Sequence, residues 1–239
     1  MHFRILTYNV HKCRGLDGRT AATRIAEVLG EIGADVIALQ EVVEHQAEAI
    51  ASQLHMGFAL GETRRHGDYG YGNVLLSRFP IHSSHNYDLS VRGREERGCL
   101  RADVLLEGSS VLHVFNVHLG TALLERRHQG RRLIAPELLN NKAIQSPRIV
   151  LGDFNEWTQG LATRLLRSHL ESADIRTHLR RSRTYPGVLP FLHLDHIYYD
   201  PALRLERLTL WRTRKALVAS DHLPLVGEFT MKPGSPPTP

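Results

Sequence analysis

The 239-residue chain is 42% hydrophobic and 23% charged, an ordinary globular composition with length enough for a core that needs no covalent staples. Cys13 and Cys99 form neither a disulfide framework nor a zinc pattern and fit a reducing compartment, so a cytoplasmic location is expected; no signal-peptide pattern and no run of ~20 apolar residues marks a membrane route. The net charge of +5 is carried mostly by Arg, with a late cluster at Arg176, Arg180, Arg181 and Arg183, and it points weakly to an anionic substrate, since a guanidinium fork donates two parallel hydrogen bonds to phosphate.

In chain order, residues 3–10 (FRILTYNV) read as a strand. Over 20–33, Ala22, Ile25, Ala26, Val28, Leu29 and Ile32 recur at helical spacing. A second apolar strand follows at 34–42 and a second helix at 45–54, and this alternation marks an α/β domain. From 70 to 119 the pattern turns to strands, at 71–79, 82–90, 99–107 and 110–119. A polar helix is expected around 123–141, with LLERRHQGRRL read as a solvated face. The strand RIVLGDFN (148–155) comes next, then a helix around 159–168, then strands in LDHIYYD (194–200), RLTLWRT (207–213) and LVGEFTM (225–231). With no repeat and no linker, one domain over 1–231 is expected, monomeric, followed by a disordered Pro-rich tail at 232–239.

Polar residues gather where these strands end. In extended backbone Asp153 and Asn155 share one face and Phe154 takes the other. An Asx-rich turn would explain that pair alone. But the first strand ends at Asn9 and His11, and the second at Gln40 and Glu41. NVH brings Asn116 and His118, LDH brings Asp195, and SDH brings Asp221 and His222. A carboxylate or imidazole beside a core strand is costly to desolvate unless it is paired or binds a metal. Several at strand mouths therefore suggest one shared polar centre. Asn9, Glu41, Asp153, Asn155 and Asp221 are hard oxygen donors, which select Mg²⁺ or Mn²⁺ over zinc. Imidazoles add donors and proton transfer near neutral pH. Together they suit hydrolysis of a phosphoester.

The segments TYNVH, LQEV, YGNVLLSRFPI, NVHLG, LGDFNEW, LDHIYYD and ASDHLPL resemble, in that order, the motifs of the endonuclease/exonuclease/phosphatase superfamily, from about residue 3 to 229. The resemblance implies an α/β fold of the DNase I-like kind, a four-layer sandwich of two mixed β-sheets flanked by helices. It also implies roles. Asn9 and Glu41 match a metal-binding pair, and Asp221 a metal-side carboxylate. Asp153 matches the group that orients or deprotonates the attacking water, and Asn155 the amide that holds water and phosphate. His222 matches an imidazole on a phosphoryl oxygen, Asp195 the carboxylate that orients it, and His118 the histidine of DNase I and sphingomyelinases. Asn73 and Arg97 match less defined substrate contacts, and His11, two residues after Asn9, lies within reach of phosphate.

Three substrate readings compete. The first is a metal-dependent phosphodiesterase of endonuclease type acting on nucleic acid, supported by the basic charge and His118. The alternative is a phosphodiesterase or phosphatase acting on a lipid head group or small phosphoester, supported by the Pro-rich approach TYPGVLPFLHLDHIYY to Asp195. A binding module that has lost catalysis would be expected to lack Glu41, Asp153 or His222, and all three are present.

Overall fold

The computed structural model of the chain describes residues 1–107, 110–144, 146–156, 160–173, 185 and 194–232. Trp157, the Arg176–Arg183 cluster and the tail from residue 233 lie outside the described residues. Within them, twelve strands form two six-stranded sheets. The first contains β1 (His2–Asn9), β2 (Val36–Val43), β3 (Gly57–His66), β4 (Tyr69–Ser77), β11 (Leu203–Leu210) and β12 (Leu225–Met231), in the order β11-β12-β1-β2-β4-β3. The second contains β5 (Ile81–Asp88), β6 (Gly98–Leu105), β7 (Val111–His118), β8 (Arg148–Asp153), β9 (Glu171–Ser172) and β10 (Asp195–Tyr199), in the order β5-β6-β7-β8-β10-β9. Each sheet is mixed, with one parallel pair at its centre, β1/β2 in the first and β7/β8 in the second.

The central strands are apolar on both faces because both faces are covered. Between the sheets pack Phe3 and Ile5, Val36 and Ala38, Leu112 and Val114, Ile149 and Leu151, each pair two residues apart on its strand. The opposite face of the first sheet, through Leu6, Tyr8, Ile37 and Leu39, buries the apolar stripe of α1 (Ala22–Ile32), together with α2 (Glu44–Leu54) and α5 (Arg214–Ala219). The outer face of the second sheet, through Phe115, Val117, Val150, Phe154 and Tyr198, buries α3 (Leu123–Leu133) and α4 (Leu161–Arg167). The result is the expected four-layer sandwich. Each fully buried large side chain contributes about 1.5–3 kcal/mol.

Three expectations are corrected. β3 was not anticipated, because GFALGETRRH stays half-exposed at a sheet edge and its polar pairs mask any clean alternation. The helix expected to 141 ends at Leu133, two residues before the Ala135-Pro136 step that disfavours helical backbone. That helix also turns the other way: Glu125, Arg126 and Gln129 are buried while Leu123 and Leu124 are exposed. Arg126 donates to the carbonyls of Gly120 and Thr121, and Gln129 accepts from the Gly120 amide at 2.8 Å, so these polar groups build the turn after β7.

The space between the sheets changes character along the strands. Two residues beyond Ile5, Ala38, Val114 and Leu151 on the same faces stand Thr7, Gln40, Asn116 and Asp153. Asn116 donates to the carbonyls of Leu39 and Val74, both at 2.9 Å, and accepts from Gln40 at 2.7 Å. Leu39 and Val74 are the last regular pair between β2 and β4 before a bulge, and Glu41 stands in that bulge. On β8, Gly152 has φ +145°, and a Cβ there would lie 1.9 Å from the Val117 carbonyl oxygen on β7. Only glycine allows the two parallel strands to stay in register up to Asp153. Gly152→Ala is therefore expected to lower the unfolding free energy by about 3 kcal/mol or more, read as a lower urea midpoint at unchanged slope. An unchanged midpoint would contradict the close approach.

Candidate active site

Residues from distant parts of the chain meet at the carboxyl ends of the two parallel pairs. β1 delivers Asn9, β2 Glu41, β7 His118 and β8 Asp153. β10 starts at Asp195, paired opposite Asp153, and the segment before β12 brings Asp221 and His222. A cleft of about 440 Å³ opens there, and nine of the eleven residues singled out from sequence line it. The exceptions are Asp195 and Asn73. Asp195 lies fully buried behind His222, holding its Nδ1 at 2.9 Å. Asn73 faces a small cavity behind the cleft, and its amide donates to the carbonyls of Gly98 and Asn116, so it ties β4 to the second sheet.

The backbone carrying these groups is unusual. Glu41 has φ +59° and Asn155 φ +48°, and His11, Lys12 and Cys13 have φ +46°, +55° and +55° in succession. Left-handed backbone at non-glycine residues costs about 1–3 kcal/mol each and persists only where surroundings over-determine it. Those surroundings are visible. Asp153 Oδ1 accepts the Asn155 amide at 2.9 Å, and the Asn155 side chain donates to the Leu119 carbonyl at 2.9 Å. Asn9 Oδ1 accepts the His11 amide at 3.0 Å, and Gln46 donates to the Lys12 carbonyl at 2.8 Å. Phe154 meanwhile packs edge-on against Tyr198 in the outer core, which anchors the Asp153–Asn155 pair.

Asn9 is the hub between carboxylates. Its Nδ2 donates to Glu41 Oε1 at 3.2 Å and to Asp153 Oδ2 at 3.1 Å. The two imidazoles flank the same Asp153 oxygen, His118 Nε2 at 3.7 Å and His222 Nε2 at 3.6 Å. Their electrostatics are opposite. Burial disfavours the His222 imidazolium, but Asp195 and Asp153 outweigh it and raise its pKa to about 10. Burial and the neighbouring Arg97 act together on His118 and lower its pKa to about 3. Asp153 is pushed above the ordinary carboxylate range by burial and by Asp195, against the pull of His222.

Arg97 also bears on which ring nitrogen of His118 carries the proton. Its Nη1 lies 3.3 Å from His118 Nδ1, while Nη2 is held by Glu95 at 2.7 Å. A guanidinium only donates, so Nδ1 accepts from Arg97 and the proton of the neutral ring is assigned to Nε2, where the Asn155 amide nitrogen, 3.3 Å away, turns its hydrogens elsewhere, one of them to the Leu119 carbonyl. His11 stands between Glu41 and Asp221, at 3.9 and 3.8 Å. Among the described residues no group of three or more His, Cys, Asp or Glu is drawn up in ligating geometry. The charge balance nevertheless fits a divalent cation. Glu41, Asp153, Asp195 and Asp221 bring four carboxylates against the His222 imidazolium, with Arg97 paired to Glu95. The donors are oxygens, the chemistry of Mg²⁺ or Mn²⁺. Asn9 presents its amide nitrogen rather than its oxygen toward the carboxylates, so Glu41 and Asp221 are the better-disposed ligands.

Some residues escaped the sequence. The Tyr185 ring lies 4.8 Å from the His222 ring and helps line the cleft, yet its only signal in the sequence is a tyrosine before a Pro-Gly dipeptide. Ser220 donates to the Asn9 carbonyl at 2.8 Å and lies 3.3 Å from Asp221 Oδ1, joining the first strand to the last motif.

The profile of the Endonuclease/Exonuclease/phosphatase family matches residues 6–222. Protein YbhP of Escherichia coli K12 is 32% identical over 247 aligned positions, covering 95% of this chain and 96% of its own. Among solved structures, an endonuclease/exonuclease/phosphatase protein of Beutenbergia cavernae superposes with TM-score 0.82 at 21% identity, over 96% of this chain and 72% of that one. A mannosyl-6-phosphatase of Bacteroides thetaiotaomicron superposes with TM-score 0.80 at 18% identity, over 96% of this chain and all of that one.

The His118 assignment is open to nitrogen NMR of the imidazoles. His118 is expected to show a proton-free Nδ1 and a protonated Nε2, with shifts constant between pH 5 and 9, where an ordinary histidine titrates near about 6.5. In Arg97→Gln the titration is expected to move up toward that value. A protonated Nδ1 in the wild type would contradict the arrangement.

Proposed function

The chain belongs to the Endonuclease/Exonuclease/phosphatase family, whose members are hydrolases of phosphate esters, and from that premise we propose that its cleft hydrolyses a phosphoester with the help of Mg²⁺ or Mn²⁺. The observation that carries the reading is the convergence on Asp153. A fully buried carboxylate with a raised pKa meets two imidazoles in opposite charge states and an amide, at the rim of an acidic patch. Such a group accepts a proton from a water molecule held near Asn155, while the water oxygen bonds phosphorus and the ester P–O bond breaks, its electron pair leaving on the alcohol oxygen, which takes a proton from solvent. The His222 imidazolium, oriented by Asp195, and the Nε2–H of His118 donate to phosphoryl oxygens as their charge grows. A divalent cation held by Glu41 and Asp221 would neutralise part of that charge when bound.

Two substrate classes are consistent with this chemistry. A nucleic-acid phosphodiester is supported by the +5 charge and by the Arg content of the chain. A small phosphoester is supported by the cleft itself, whose 440 Å³ suits a compact group, and by similarity to a mannosyl-6-phosphatase. Among the described residues no helix is long and apolar enough to cross a membrane.

Glu41→Ala is expected to abolish hydrolysis and to weaken Mg²⁺ binding in calorimetric titration, with the thermal midpoint of the metal-free protein little changed. Wild-type Mg²⁺ affinity in the variant would remove Glu41 from the cation site. His222→Ala and His118→Ala are each expected to lower kcat by about two to three orders of magnitude, the effect of one lost transition-state donor. Near-full turnover in either, on the best substrate of a panel of DNA, RNA, glycerophosphodiesters and sugar phosphates, would remove that histidine from the reaction.

A further inference from the structure

A second pocket, of about 610 Å³, adjoins the cleft and shares Glu95, Arg97 and Thr121 with it. Its remaining wall is formed by Arg64, Arg94, Glu96 and Glu125 with the backbone of Gly93. Among the described residues this lining holds three guanidinium groups, three carboxylates and a hydroxyl, with no aromatic ring and no aliphatic side chain. We propose that this pocket binds the alcohol half of the phosphoester and selects a hydroxyl-rich group, a polyol or sugar. The inference rests on the hydrolytic reading above and deepens it.

Arg94, Glu95 and Glu96 are exposed, but Glu125, Arg64 and Arg97 are fixed in place. Glu125 is only 5% exposed, although it lies in the first turn of α3. Its Oε1 accepts from Gln129 at 3.4 Å, and its carboxylate packs so close to Gly120 that a Cβ there would lie about 2 Å from its oxygens. No ion pair reaches it among the described residues, so a buried, immobilised acceptor faces the pocket with one oxygen free. Across from it Arg64 is held by the Tyr71 ring at 4.7 Å and by Glu96 at 3.8 Å, and Arg97 by Glu95 and His118.

Carboxylates only accept hydrogen bonds and guanidinium groups only donate them. A hydroxyl does both, so a group bearing several satisfies alternating acceptors and donors without needing a charge of its own. A nucleobase gains its affinity from stacking, worth about 1–3 kcal/mol per base, and the nearby ring of Tyr71 is already covered by Arg64. An acyl chain would strip water from the Glu125 carboxylate, which no ion pair reaches among the described residues, a loss of the same order or larger. The shared wall at Arg97 places this pocket beside His118 and therefore beside the phosphoryl position.

Binding separates the subsite from turnover. The Asp153→Asn protein with Mg²⁺ would be titrated calorimetrically with sorbitol 6-phosphate, butyl phosphate, thymidine 5′-phosphate, phosphocholine and inorganic phosphate. Sorbitol 6-phosphate is expected to bind about tenfold tighter than butyl phosphate, the equivalent of two net hydrogen bonds. In Glu125→Gln and Arg94→Ala that ratio is expected to fall below about threefold, in proteins whose circular dichroism matches the parent. Equal affinity for the sorbitol and butyl esters, tighter binding of the thymidine ester or phosphocholine, or a ratio unmoved by both substitutions would each overturn the proposal. If the wild type hydrolyses no ester yet the sorbitol preference holds, the hydrolytic reading fails and the subsite stands. If it hydrolyses the panel without that preference, the subsite alone fails.

Discussion

Buried amides hold the two halves of the sandwich at the place where the site forms, Asn73 from β4 and, with more partners, Asn116 from β7. Asn116 on β7 donates to two main-chain carbonyls, one on β2 and one on β4, and accepts from Gln40. Apolar contacts hold the sheets together elsewhere, but such contacts have no direction and tolerate sliding. A fully buried carboxamide with every partner supplied by the opposite sheet does not, because a lost partner leaves a desolvated polar group costing about 1–3 kcal/mol. The carbonyls it uses end the regular β2–β4 ladder, so the bulge that lifts Glu41 into the cleft is pinned from across the interface. The relative position of Glu41 and His118, one from each sheet, follows from that pin.

The pattern of polar and apolar residues along the strands made much of this legible. Alternation placed Phe3 and Ile5 between the sheets and, continued, placed Asn9 at the rim; the same arithmetic runs through Ile149, Leu151 and Asp153. What alternation cannot supply is contact across distant segments. Nothing local in TYPG signals that Tyr185 lies against His222. Asn73, matched by resemblance to a substrate contact, spends its amide on two carbonyls of the other sheet. The reversed helix α3 misleads for a related reason. Its polar residues satisfy the turn after β7, so burial follows hydrogen bonding rather than hydropathy.

The two imidazoles show how environment, more than residue type, sets chemical character. His118 and His222 stand on opposite sides of one Asp153 oxygen at nearly equal distance, and both are buried. Burial disfavours charge on both rings; Asp195 and Asp153 overcome it at His222, while Arg97 reinforces it at His118. The charged ring brings field strength and the neutral ring a directed N–H that does not repel a nearby cation. Asp195 lies behind the cleft and acts through orientation and charge, whereas Arg97 also forms part of the cleft wall.

The strand order also bears on how the protein is made. β1 precedes every other strand of the first sheet and pairs along its length with β12, which follows them all. Until the last strand emerges from the ribosome, β1 has an unsatisfied edge and the first sheet lacks its far side. Asn9 cannot meet Ser220, nor Asp195 meet His222, on any shorter nascent chain. N-terminal segments of such a topology wait through synthesis with apolar strand faces uncovered, the state in which nascent chains aggregate or are held by chaperones. Synthesis and assembly are thereby forced apart in time, and a ribosome stalled short of residue 222 releases a fragment without His222 and without the strand that closes β1.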